Sequence, residues 1–138
     1  MTASYDSLLA GSTSSGLFSW RGAPERDLVE EALSVGWQAL TLDTRLVRTV
    51  EDFYEELATS WGLPGWFGRD LDALFDTLAD LAVQPTVIIW DGLAHLADVD
   101  PVHASAVVDI FCDAVGQAPS LAVILRGELG VNDFDGLL

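Results

Sequence analysis

Thr86-Val87-Ile88-Ile89-Trp90, closed by Asp91-Gly92, is the stretch that decides the fold. It is an apolar run of strand length, rich in β-branched residues, with no alternation of polar and apolar positions. A strand with one wet face alternates, so an unbroken run is the pattern of a strand buried on both faces in a parallel sheet. Helices are expected on either side of it in sequence. Upstream, Leu71, Leu74, Leu78 and Leu81 recur at helical spacing, with Asp70 as N-cap, an end near Val83 and a break at Pro85. Downstream there is room for a short helix over Leu93 to Val99. Pro101 then opens a longer one, with Val102, Ala106, Val107, Ile110, Phe111 and Ala114 inward and Gly116 and Pro119 at its end. Leu121 to Leu125 reads as a last apolar strand.

Toward the N-terminus, Thr49 is placed to cap a helix with Glu51 and Asp52 in its first turn, Phe53, Leu57, Ala58 and Trp61 on one face, and Gly62 at its end. Trp37 to Leu42 reads as a strand, followed by a polar connection through Asp43, Thr44 and Arg45. A short strand over Leu17 to Trp20, ended by Gly22, precedes it. Between the two strands, Pro24 suits a first helical turn, Leu28, Val29, Ala32, Leu33 and Val35 supply an apolar face, and Gly36 stops the helix. Residues 1–16, rich in Ser, Thr, Ala and Gly without a period, are expected to be a flexible segment with at most a short turn around Leu8 and Leu9. Strands alternating with helices at this spacing predict one α/β domain with a small, largely parallel sheet of about four strands. At 138 residues, half of them hydrophobic, the chain suits a single core.

The balance of 22 acidic against 6 basic residues gives a formal charge of -16. Such a surface repels phosphate backbones and anionic membranes and draws in basic surfaces, so direct nucleic-acid and membrane binding are not expected. It also keeps a protein soluble, so position along the chain must decide what the acids do. The single cysteine, Cys112, suits a reducing compartment and is expected to be a buried, inert thiol. The N-terminus lacks a basic segment and a sustained apolar core, and no apolar run approaches the roughly 18 residues of a membrane span. A cytoplasmic protein is expected.

Leu63-Pro64-Gly65-Trp66-Phe67-Gly68-Arg69-Asp70-Leu71-Asp72-Ala73-Leu74-Phe75-Asp76 is the stretch where chemistry gathers. Asp72, Asp76 and Asp80 recur one helical turn apart, opposite the leucines, and like charges at that spacing cost a helix about 0.2 to 0.5 kcal/mol per pair. No basic residue stands at i±3 or i±4 from Asp76. Phe75 falls between the leucine and aspartate stripes, and Trp66 precedes the same helix end. The plain reading makes Trp66 and Phe67 core and the aspartates a solvated face. The functional reading makes the rings anchors, and the acids charge-assisted acceptors, for a basic, arginine-bearing protein surface. Rivals elsewhere are thin. His95 and His103 have no nucleophile elbow near them, Pro101 interrupts the metal-like spacing of Asp98, Asp100 and His103, and Asn132-Asp133-Phe134-Asp135-Gly136 lacks the closing Glu of a calcium loop. No catalytic residue, cofactor or metal site is predicted.

At these residues the sequence resembles the barstar family, intracellular inhibitors of secreted guanyl-specific ribonucleases of the barnase type. The family's pattern is Leu-Pro, any residue, two aromatics, Gly, any residue, then Asn-Leu-Asp-Ala-Leu-Trp-Asp, and Leu63 to Asp76 follows it with Asp70 in place of the Asn, either of which caps a helix well, and Phe75 in place of the Trp. The match runs back without gaps through Val47-Arg48-Thr49-Val50 and forward through Pro85 to the next strand, and more loosely over Val107 to Leu125. The resemblance implies a barstar-like core over residues 37–126, with 17–36 an additional strand and helix in front and 127–138 a tail. It also implies a one-to-one complex in which the helix and its preceding loop occupy a basic active site. Asp76 falls at the position of the family's phosphate-mimicking aspartate and Asp72 where a second acid pairs with an arginine. Trp66 falls where a tyrosine stacks on the enzyme, Phe75 where a tryptophan packs, Gly68 at the glycine of the close approach, and Asp113 at a peripheral glutamate. Phe67 and Asp80 complete the expected partner-binding set, Asp80 toward its rim. Trp66 lacks the phenol, Phe75 lacks the indole donor and Asp113 is a methylene shorter, so the enzyme surface it fits is expected to differ. An immunity protein or acidic module for another basic partner, and a metal binder using the aspartates, are the alternatives.

Overall fold

A computed structural model describes residues 5–11, 16–20, 26–118 and 120–126 of the chain. Its elements are α1 (Tyr5–Leu9), β1 (Leu17–Ser19), α2 (Leu28–Ser34), β2 (Gln38–Asp43), α3 (Val50–Trp61), α4 (Leu71–Leu81), β3 (Thr86–Asp91), α5 (Leu93–Val99), α6 (Pro101–Gln117) and β4 (Leu121–Arg126). The four strands form one sheet in the order β1-β4-β3-β2, and every pairing is parallel. The α/β architecture and the strand number agree with the sequence reading, and the sheet is wholly rather than largely parallel.

The apolar run of β3 divides by pleat. Ile88 and Trp90 enter a large core with α3, α4, α5 and α6, while Val87 and Ile89 enter a smaller one with α1 and α2. β4 divides in the same way, Leu121, Val123 and Leu125 to the large core and Ala122 and Ile124 to the small one. Strands covered on both sides have no face to leave polar, which is why neither run alternates. The helices between successive strands β2, β3 and β4 all lie on the first side. Among the described residues, the N-terminal segment covers the second.

That segment departs from expectation. Tyr5–Leu9 is a helix with Tyr5 and Leu8 almost wholly buried, where the sequence reading expects a flexible stretch. The Tyr5 hydroxyl donates to the Leu28 carbonyl at 2.6 Å. The Arg26 guanidinium lies over the Tyr5 and Trp20 rings, 5.8 and 5.4 Å from their centroids, and pairs with Asp6 and Glu31. Long-range contacts of this kind leave no local period, so the pattern cannot reveal them. Helix α2 begins at Leu28, with the Asp27 carboxylate accepting from the Glu30 amide at 3.0 Å; Gly22 and Pro24 lie outside the described residues. It is short and buries only a narrow stripe, so Leu33 and Val35 are more than half exposed.

Helix α6 buries Ala104, Val107, Phe111 and Ala114. Val102 lies off that stripe and is 81% exposed, and Cys112, expected to be buried, is exposed for the same reason. Partial burial and the neighbouring Asp109 and Asp113 carboxylates still raise the thiol's pKa, which keeps it a poor nucleophile. Gly116 does not end the helix, which runs to Gln117. Pro119 and the tail from Glu128 lie outside the described residues.

The C-terminal ends of β2 and β3 are locked by one hydroxyl. Buried Thr44 accepts from Trp90 Nε1 at 3.0 Å and donates to the Gly92 carbonyl at 2.7 Å. Gly92 has φ +93°, and a Cβ there would lie 2.6 Å from the Arg45 amide nitrogen, so the close approach requires glycine. On the neighbouring strands, Asp91 takes a two-pronged hydrogen bond from Arg126.

Candidate functional site

The loop between α3 and α4 is shaped at both ends by its sequence. Gly62 ends α3 in the left-handed region, at φ 63°, as a helix C-terminus favours. The Phe67 amide then donates to the Pro64 carbonyl at 3.0 Å, closing a turn. Phe67 turns inward, 7% exposed, toward the Tyr54 ring, while the adjacent Trp66 is left 86% exposed. Gly68 brings the loop against α4: a Cβ there would stand 3.3 Å from the Ala73 Cβ. The Asp70 carboxylate caps α4 by accepting from the Ala73 amide at 2.8 Å. Beneath the loop, burial pushes the Tyr54 phenol up to about 12, and the Asp70 carboxylate adds to the effect. Arg69, the loop's one cation, is held away by Glu55 of α3 at 2.9 Å.

Helix α4 buries Leu74 and Leu78 completely and Leu71 and Leu81 in part. Asp72, Asp76 and Asp80 are exposed, and among the described residues none of the three has an ion-pair partner. Asp76 and Asp80 line a groove of about 570 Å³ whose other walls include Trp66, Phe67, Gly68, Leu81 and Gln84. Its base at the sheet edge is fixed by polar contacts. Gln84 Nε2 donates to Gln38 Oε1 at 2.9 Å, and the Thr86 hydroxyl reaches the same oxygen at 3.2 Å.

The expected site residues therefore divide. Trp66, Phe67, Gly68, Asp76 and Asp80 come together in the groove, although Phe67 is a core residue whose ring anchors the loop. Asp72 is exposed on the first turn of α4, outside the groove. Phe75 is half-buried and lines a separate depression with Ala79, Val83, Ala114 and Gln117, where α4 meets α6. Asp113 is exposed on α6, one residue before Ala114. Gln84 and Gln38 were not singled out by the sequence. Gln84 continues the Asp76, Asp80 spacing past the helix end, so a signal existed; Gln38 arrives only through the pairing of β2 with β3.

Elsewhere the chemistry-bearing side chains are structural. His95 Nε2 is 2.9 Å from the Val47 carbonyl. The His103 ring stands edge-on to Phe53 and Tyr54, and its amide donates to the Asp100 carboxylate that caps α6. Asp100 and His103 are thereby turned to capping and packing. Among the described residues no three His, Cys, Asp or Glu side chains are grouped to hold a metal ion. The calcium-like run from Asn132 lies outside those residues. No described helix is long and apolar enough to cross a membrane.

Fold and site together define an α/β domain that presents an acidic helix and an exposed aromatic loop on one surface. The family model described as Barstar (barnase inhibitor) matches residues 37–127, and the chain belongs to that family. Its members are inhibitors of barnase-type ribonucleases. The match begins just before β2 and leaves α1, β1 and α2 outside it.

Proposed function

We propose that this protein is an intracellular inhibitor of a secreted guanyl-specific ribonuclease, which it blocks by inserting α4 and the preceding loop into a basic active site. The observation that carries the reading is the row of exposed carboxylates at Asp72, Asp76 and Asp80, without ion-pair partners among the described residues, beside the exposed Trp66 ring and within the part of the chain that matches the family. A carboxylate held on a rigid helix presents its oxygens where an RNA phosphate would otherwise bind, to the same arginines and lysines. Asp76 is the phosphate mimic and Asp72 meets a second basic side chain. Trp66 stacks on the enzyme, Phe75 packs against it, and Gly68 permits the close approach of loop and helix. Asp113 and Asp80 stand at the periphery. The complex is one to one and competitive with substrate, and its formation is fast and salt-sensitive because opposite charges steer the encounter.

Variant inhibitors test the assignment. Asp76→Ala and Trp66→Ala should each weaken inhibition of a susceptible ribonuclease by about 30-fold or more, the scale of an interface hot spot. Asp109→Ala, an exposed acid elsewhere on α6, should change it less than about threefold. Equal losses from all three would place the interface on another surface.

A further inference from the structure

The His103 ring is packed in a place that its chemistry does not suit. Its Nδ1 and Nε2 are both shut off from solvent, and neither has a hydrogen-bond partner among the described residues. Buried polar atoms are as a rule paired, and a phenylalanine ring packs in aromatic surroundings without two desolvated nitrogens. The ring is one member of an aromatic chain. It stands edge-on to Phe53 and Tyr54 of α3, with centroids 5.3 and 5.8 Å away. Tyr54 in turn meets Phe67 at 6.4 Å, and Phe67 is the buried neighbour of the exposed Trp66. The chain of rings thus runs from the first turn of α6, through α3, to the loop that carries the exposed indole.

We propose that His103 is a pH-sensitive positioning residue for that loop: neutral, it backs the Tyr54 and Phe67 rings and holds the loop in place; protonated, it loosens them and, with them, Trp66. Three features oppose a charge on the ring. Its neighbours are aromatic, none of the ion pairs among the described residues includes it, and it is the third residue of α6, where the positive end of the helix dipole repels a cation. The titratable groups around it do not answer that charge. From α3 it is faced by the Tyr54 phenol, which burial pushes up to about 12. From the start of α4 the Asp70 carboxylate acts on that phenol but is engaged in capping, and on its own helix the Asp100 carboxylate accepts from the His103 amide at 3.0 Å. Histidine is the side chain that changes charge between about pH 5 and 8. The only other one in the chain, His95, has its Nε2 2.9 Å from the Val47 carbonyl. The effect on partner binding rests on the inhibitor reading; the coupling of ring to loop does not.

Two measurements keep them apart. In the first, the Trp66 indole and the Phe67 and Gly68 amide resonances of the isotope-labelled full chain are followed from about pH 7.5 to about 5.5 alongside the His103 ring protons. They should move with the His103 midpoint in the unmodified chain and stay in place in His103→Phe, or in His103→Leu if the phenylalanine variant does not fold. In the second, inhibition constants are measured at both pH values for a guanyl-specific ribonuclease that the unmodified chain inhibits. On acidification the constant should rise at least about fivefold more for the unmodified chain than for the variant, the low end of coupling between linked equilibria. The enzyme's own titration is common to both and cancels. A His103 ring that does not titrate in this range, loop resonances that ignore its midpoint, or parallel inhibition profiles overturn the proposal and leave the inhibitor reading standing. Loop shifts that follow His103, without inhibition of any such ribonuclease at either pH, support the proposal and overturn the inhibitor reading.

Discussion

Asp76→Ala should make the free protein more stable while it weakens the complex. Asp76 has Asp72 and Asp80 at i±4 and lacks a basic neighbour on the helix, so its removal relieves two repulsive pairs. Each pair costs about 0.2 to 0.5 kcal/mol, and replacing Asp by Ala in a helix interior adds about 0.5 kcal/mol of propensity, for a total near 1 to 1.5 kcal/mol. For a domain of this size that corresponds to a rise in the thermal midpoint of about 3 to 6 °C. Denaturant and thermal unfolding of the two full-length proteins measure it. Part of the gain should fade as salt is added, since exposed repulsion is screened beyond roughly 10 Å at 0.1 M. A loss of stability on substitution would mean that the Asp76 carboxylate has an internal partner, and would refute the reasoning that it is held in reserve for another molecule.

Three further outcomes follow from the fold. Gly92→Ala should cost about 2 to 4 kcal/mol in denaturant unfolding, because a Cβ would stand 2.6 Å from the Arg45 amide nitrogen in a left-handed backbone; a change under about 0.5 kcal/mol would show that the β2 exit loop can shift freely. Both tyrosines of the chain are raised in pKa mainly by burial, Tyr54 to about 12 and Tyr5 further. A folded value above the unfolded one of about 10 gives stability that is complete below pH 10 and lost as pH climbs through the folded value. Tyrosinate absorbance should accordingly stay low in the folded chain at about pH 10.5, where the denatured chain is more than half ionised; equal absorbance would contradict the burial of both rings. Deleting residues 1–36 should uncover Val87, Ile89, Ala122 and Ile124 and yield a protein that binds hydrophobic dye or aggregates; a monomeric, dye-silent product would show that the second sheet face tolerates water.

Legibility in the sequence followed the range of the interactions. The unbroken run at Thr86 to Trp90 announced a doubly covered strand because burial on both faces acts residue by residue. The Thr49 and Asp70 caps were readable because each side chain bonds an amide three residues on. The aspartate row on α4 could be assigned to the surface by its phase against Leu74 and Leu78. What escaped was set by distant partners. Helix α1 is held by the Tyr5 bond to Leu28 and by Arg26 over two rings, none of which leaves a period. Phe67 and Trp66 are neighbours in sequence with opposite fates, decided by the turn at Pro64 rather than by their similar hydrophobicity. The groove's far wall needed Gln38 from another element, which only the pairing of β2 and β3 brings to the sheet edge beside Asp80.

The most direct test is to titrate the purified chain into a guanyl-specific ribonuclease assay at low salt. Activity should fall linearly to near zero at one equivalent of inhibitor and return as salt is raised, because the encounter depends on exposed carboxylates meeting a basic site. Full activity at stoichiometric excess, across several such enzymes, would contradict the claim that α4 of this chain closes a ribonuclease active site.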